Sequence, residues 1–306
     1  MPEPLLLLSL VVLLVGGVFA GAGLDRVLAA SEAGRPVRAG WAEPFADGVR
    51  LLVQRRRTLL APDAFVWRLG GGALVVVAVL KLAVVPLGGD VLADLPVGVV
   101  WFNAMDVLLW AAFWLLGWGA NSWAAVVGGY RFLAQALAYE LPLMFALTAP
   151  AVAASSLRVG DVVASQVDRW NLVEMPAAFV VFLLCVVGYS ATGPLSAPTG
   201  ADLAGGLLAE LSGPDRLVVL VGRWALLVVG AAFSVPLFLG GGAGPVLPAA
   251  LWSVAKTALV LAVLVWVRRR LPLLRAERLL EVGWLVLIPI TLVQLLVTTV
   301  LVLRGS

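Results

Sequence analysis

Glu140 stands in RFLAQALAYELPLMF (Arg131–Phe145), a stretch otherwise made almost entirely of Ala, Leu, Phe and Met. Asp106, in NAMDVLLW, and Lys256, in SVAKTALV, stand in runs as apolar, and Arg223 lies a few residues into another. Carboxylates and amines placed this way can handle protons. A low dielectric raises a carboxylate's proton affinity and a nearby cation lowers it, so changing their separation loads or releases a proton. A charge at the bilayer centre costs about 2.5–3.5 kcal/mol on insertion scales, so such groups pair, face water or do work. For Glu140, Asp106 and Lys256, function or functional pairing outweighs purely structural pairing. Arg223 is shallow enough to reach the interface, and for Lys81 and Glu174, near span ends, snorkelling or interfacial placement weighs at least as much as function.

Other chemistries are excluded by what the chain lacks. There is no histidine, the commonest metal ligand and general base, and the single cysteine, Cys185, lies in an apolar run. No disulfide, thiolate-held metal or redox centre is expected on this chain, and no bound cofactor.

Positioning these groups falls to helices in lipid. Of 306 residues, 62% are hydrophobic and 13% charged, about half the charge of a soluble domain. Runs able to supply a span of ~20 residues lie at roughly 4–24, 69–89, 96–117, 123–154, 173–192, 217–239, 246–267 and 281–303. The first has no basic leader region or small-residue cleavage site and reads as a retained helix. The expected fold is therefore all-α: a polytopic membrane protein with about eight transmembrane helices in one unit over residues 1–306. Within 41–57, Trp41, Phe45, Val49, Leu52 and Val53 recur at helical spacing apart from most of the charges, which predicts an amphipathic helix lying in the interface. Residues 190–216, rich in Gly and Pro, form a long loop of the kind that is functional or disordered. No internal repeat is evident, against the inverted-repeat transporter plan.

Arginines gather in the segment after the first span (Arg26, Arg35, Arg38, Arg50, Arg55, Arg56, Arg57) and after the seventh (Arg268, Arg269, Arg270, Arg275, Arg278). The positive-inside rule puts these loops, and the interfacial helix, in the cytoplasm and both termini on the other side.

GWGANSWAAVVGGYRFLAQALAYELPL (Gly117–Leu143) resembles the third-to-fourth helix region of subunit 1 of respiratory complex I, a family of NADH-quinone oxidoreductase membrane subunits. The segment Gly244–Thr299 looks like that family's carboxy-terminal part, with its Trp…Lys-Thr element and Gly-Trp…Leu-Leu-x-Thr ending, and WAEPFADGVRLL (Trp41–Leu52) is similar to its surface helix. The resemblance implies a membrane-arm subunit in a bacterial inner membrane, joined to an electron-transfer arm and to antiporter-like membrane subunits. Quinone would be a substrate, iron–sulfur clusters and flavin would sit in partner subunits, and no nucleic acid is involved. The chain would line a quinone tunnel and link quinone reduction to proton translocation, with no redox centre of its own. Carried over by position, Glu140 is the family's fourth-helix glutamate and Lys256 its seventh-helix lysine; with Asp106, Arg223, Asp202 and Glu210 they make up the proton-path candidates. Trp41, Phe45, Asp47, Arg50, Arg131, Ser196, Thr199, Arg268 and Arg275 are candidates for the tunnel and interface.

One motif departs from the family. Its acidic loop after helix five is replaced by GYSATGPLSAPTGADLAGGLLAELSG, in which Asp202 and Glu210 are the carboxylates that remain, and Arg223 stands where a helix-six glutamate is expected. Arg223 is then expected to compensate a carboxylate such as Glu140. The erosion leaves open two alternatives: a membrane anchor of an energy-converting hydrogenase or related complex, and a non-pumping scaffold for a redox module. An independent solute transporter is a more distant one.

Overall fold

The computed structural model describes residues 2–305, and among them the regular structure is helical. The long helices are α1 (Glu3–Glu32), α3 (Ala64–Leu82), α4 (Gly98–Gly119), α5 (Trp123–Ala154), α9 (Gly213–Phe238) and α10 (Ala249–Arg270). A seventh apolar segment, Ala276–Arg304, joins α11 (Ala276–Val282), a π-helical turn (Gly283–Leu287) and α12 (Ile288–Gly305). These seven are long and apolar enough to cross a membrane. The protein is an all-α, multi-pass membrane protein.

The fifth expected span is shorter than its hydropathy suggested. Instead of 173–192, helix α8 covers Pro176–Tyr189, about 21 Å at 1.5 Å per residue against a ~30 Å hydrocarbon core. Pro176 starts it, and Ala191 and Gly193, both at positive φ, turn the chain after it. One face of it, with Ala178, Val181, Phe182 and Cys185 through Tyr189, is buried among the other helices, while Val180 is exposed. Two short helices, α6 (Val159–Ala164) and α7 (Asn171–Glu174), precede it. Glu174 ends α7 and is exposed.

The amphipathic helix α2 covers Val37–Val53 instead of 41–57. Its charged face ties it to the bundle: Asp47 accepts from Arg26 at 2.7 Å and pairs with Arg50 at 3.0 Å. Phe45, Val49, Leu52 and Val53 are exposed, as is Trp41, whose ring also packs over Gly23. This is the geometry of an interfacial helix with its apolar face outward. Arg55, Arg56 and Arg57 lie beyond the helix; the backbone N–H of Arg57 donates to Ser212 Oγ at 2.6 Å, and Arg56 pairs with Asp215.

The core lies where α4, α8 and α9 meet, with Phe102 and Phe233 stacked at 3.8 Å between centroids and Phe182 tilted against both. Residues 190–212 form four successive 3₁₀ turns seated on α5. At Gly128 of α5 a Cβ would stand 2.6 Å from Pro198 O and 2.7 Å from Leu207 N, so only glycine allows the loop backbone this close.

Candidate functional site

Two ionisable groups meet at the centre of the bundle. Lys81 Nζ, at the end of α3, donates to Asp106 Oδ1 of α4 at 2.7 Å, and both side chains are fully buried. The ammonium also sits 4.3 Å from the Phe102 ring centroid and 4.1 Å from that of Tyr189, faces that attract a cation. Lys81 therefore does not snorkel. Its sequence position is near a helix end, but the chain from 83 to 97 folds back there, with Ala93 N–H donating to Ala83 O, and closes the route to water.

Glu140 on α5 joins this pair. Its Oε1 accepts from Asn103 Nδ2 at 3.0 Å, one turn of α4 before Asp106. The charges of Lys81, Asp106 and Glu140 act on one another. Glu140 is half-buried, between the cluster and the exposed α5 residues Leu137, Leu141 and Met144. Around the three ionisable groups stand buried polar atoms with no hydrogen-bond partner among the described residues, Asp106 Oδ2, Asn103 Oδ1, Glu140 Oε2 and the hydroxyl of Tyr189, together with the hydroxyl of Tyr139, which faces Trp110 Nε1. Such atoms are costly to bury unpaired, and their gathering here describes a polar core of carboxylate, phenol and ammonium groups. Asn103 and Trp110 are not singled out by sequence, and Tyr139 and Tyr189 stand in its motifs without being site candidates there. On α4 a signal was present, since Asn103, Asp106 and Trp110 recur at i, i+3 and i+7, one polar stripe on an apolar helix.

The other candidates lie apart. Lys256 Nζ donates to the carbonyls of Leu239, Gly241 and Ala243 at 2.6, 2.9 and 2.8 Å and sits over the Trp170 ring at 4.3 Å. Its partners are the turn after α9, and the central pair is not among them. Arg223 does not compensate Glu140; it borders the cavity at the arginine-rich end of the bundle. It is buried and donates from Nε to Ser190 O at 3.3 Å and from Nη2 to Ala191 O, capping the carbonyl end of α8.

The loop acids are paired. Arg131 holds Asp202 at 2.7 Å, which with its hydrogen bond sets the Asp202 carboxyl below the usual aspartate range. Glu210 accepts from Arg57 at 3.1 Å and from Ser122 at 3.0 Å. Arg275, exposed at the start of α11, lies near enough to act on Asp202. Ser196, Thr199, Arg223 and Arg268 border a polar cavity of about 460 Å³ at the arginine-rich end, whereas Trp41, Phe45, Asp47 and Arg50 stand on α2.

A family model described as NADH dehydrogenase matches residues 5–299. The chain belongs to the complex I subunit 1 family. Its relatives carry the name of the H subunit of NADH-quinone oxidoreductase. It is 34% identical over 270 residues to the first such protein of Geobacter metallireducens, covering 85% of this chain and 82% of that one. It is 33% identical to the second such protein of Geobacter sulfurreducens, with the same coverage. Against the counterpart in Syntrophotalea carbinolica the identity is 32% over 285 residues, covering 88% of this chain and 86% of the relative. In this member of the complex I subunit 1 family a buried lysine–aspartate pair joins α3 to α4 beside Glu140 of α5, Arg223 and Lys256 are buried apart from it, and the loop after α8 keeps its acids in ion pairs.

Proposed function

We propose that this chain is a membrane-arm subunit of a complex I-like NADH-quinone oxidoreductase, lining the quinone path and linking quinone reduction to proton translocation. The observation that carries the reading is the Lys81–Asp106 pair beside Glu140, surrounded by polar atoms without hydrogen-bond partners among the described residues. Glu140 lies nearest the surface, since it alone of the three is partly exposed, and with its Oε2 buried it would exchange protons through a path completed by a neighbouring subunit. Quinone would approach past α2 and the loop after α8, with Arg131, Ser196, Thr199, Arg268 and Arg275 on that side of the molecule. Electron-input and antiporter-like subunits supply the flavin, the iron–sulfur clusters and the rest of the proton axis, and the bacterial inner membrane is the setting.

The test uses the assembled complex in proteoliposomes. Glu140→Gln is expected to leave assembly intact and to lower turnover-linked proton uptake on the order of a hundredfold, the scale of a lost proton-transfer group. Unchanged uptake would take Glu140 out of the path.

A second reading has its own observation. Asp202 and Glu210 are held by Arg131 and Arg57, so the loop has no free carboxylate to answer a reaction in a bound partner. This favours a scaffold that anchors a redox module without pumping, or the anchor of a hydrogenase-type complex. Electron transfer by the wild-type assembly without proton uptake would select the scaffold, and co-purification of a nickel-binding large subunit would select the hydrogenase anchor.

A further inference from the structure

The cavity at the arginine-rich end is positively charged beyond what its neighbours offset. Arg223, Arg268 and Arg269 line it against one carboxylate, Asp25. Asp25 is already engaged, at 3.1 Å from Arg269 and 3.5 Å from Arg268, and Arg269 also reaches Glu32 at 2.7 Å. Arg223 is about nine-tenths buried, with two neutral carbonyls as its partners and no carboxylate among the described residues. Those carbonyls and the negative end of α8 offset part of its charge, but they engage Nε and Nη2 and leave Nη1 free. A guanidinium buried without a counter-charge is unfavourable until an anion arrives.

The lining is also held in place. Arg268 stacks on the Trp224 ring at 4.8 Å. Gly193, at φ +55°, brings the loop so close that a Cβ there would collide with that of Arg268. The hydroxyls of Ser196 and Thr199 donate to loop carbonyls, so recognition falls to the guanidinium groups. These match phosphate, whose several oxygens can accept from more than one fork at once. The cavity is large enough for a headgroup phosphate and lies between helix ends, where headgroups stand. Basic pockets between membrane helices suit anionic headgroups.

We propose that this cavity is a phosphate-binding site, formed by Arg223 and Arg268 with Arg269, that takes the phosphate of an anionic phospholipid or inorganic phosphate. It does not depend on whether quinone or protons move through the chain.

The assembled complex is placed in nanodiscs of phosphatidylcholine alone or of phosphatidylcholine with phosphatidylglycerol, and its thermal unfolding is followed. Inorganic phosphate is titrated into the phosphatidylcholine discs against sodium chloride of equal ionic strength. Phosphatidylglycerol, inorganic phosphate or both are expected to raise Tm, saturably for the free anion. A response to the lipid alone assigns the headgroup, and a response to inorganic phosphate assigns the free anion as a ligand. Arg223→Gln is expected to weaken the responding probe on the order of tenfold, the scale of one charge-assisted hydrogen bond. Should that variant fail to assemble because the α8 carbonyls lose their donor, Arg268→Gln carries the same expectation. No response of the wild type to either probe overturns the proposal. So does an undiminished response in an arginine variant that assembles, or an equal loss in Arg158→Gln at the opposite end of the bundle.

Discussion

Replacing Asp106 by Asn would leave the Lys81 ammonium buried without its counter-charge, while replacing both partners by apolar groups of similar volume would remove the problem altogether. Breaking a buried pair on one side typically costs about 3–5 kcal/mol, whereas exchanging the whole pair is often close to neutral. Asp106→Asn is therefore expected to lower the Tm of the assembled complex strongly, and Lys81→Met with Asp106→Leu to recover most of the loss. Thermal unfolding of the single and double variants checks this, and the double variant is expected to abolish proton uptake even where it restores stability. At this scale the sequence was partly legible. Asp106 and Glu140 stood out because charge in an apolar run is expensive. Lys81 did not, because its distance from a helix end says nothing about the segment that folds over that end.

Helix boundaries obeyed local chemistry where the chain supplied it. The side chain of Asp63 accepts from Val66 N–H at 3.1 Å and starts α3, and Ser155, at φ 50°, ends α5 at the limit hydropathy gave. Hydropathy overran the limits of α8, because the apolar composition continues past the residues at which Pro176 and the turn at Ala191 bound the helix. The loop after it was expected to be functional or disordered; its turns are seated on α5 through the close approach at Gly128. Gly128→Ala is expected to push the loop off α5, an overpacking cost of about 1–3 kcal/mol. Hydrogen exchange should then quicken at amides of 197–209 while the amides of α9 stay protected. Equal protection in the variant and the wild type would mean that the loop is held elsewhere, by Arg131–Asp202 and Arg57–Glu210.

For the whole molecule the arginine asymmetry gives an orientation that labelling can check. Cys185 is buried, so a single introduced cysteine reports alone. In intact cells a membrane-impermeant maleimide is expected to label Gly160→Cys, and to label Ser31→Cys only after the membrane is opened. The reverse pattern would invert the topology. Composition and spacing by themselves determined that this is an all-helical membrane protein, and the order of its motifs determined its family, because burying helices in lipid requires long apolar runs that no other arrangement satisfies. Which charges meet was decided by the tertiary structure. Lys81 and Asp106 come from different helices, and Arg223 turns to the carbonyls of α8 instead of to Glu140. Pairing across helices depends on how each helix is rotated and how deep it sits, and apolar packing over the whole bundle fixes both.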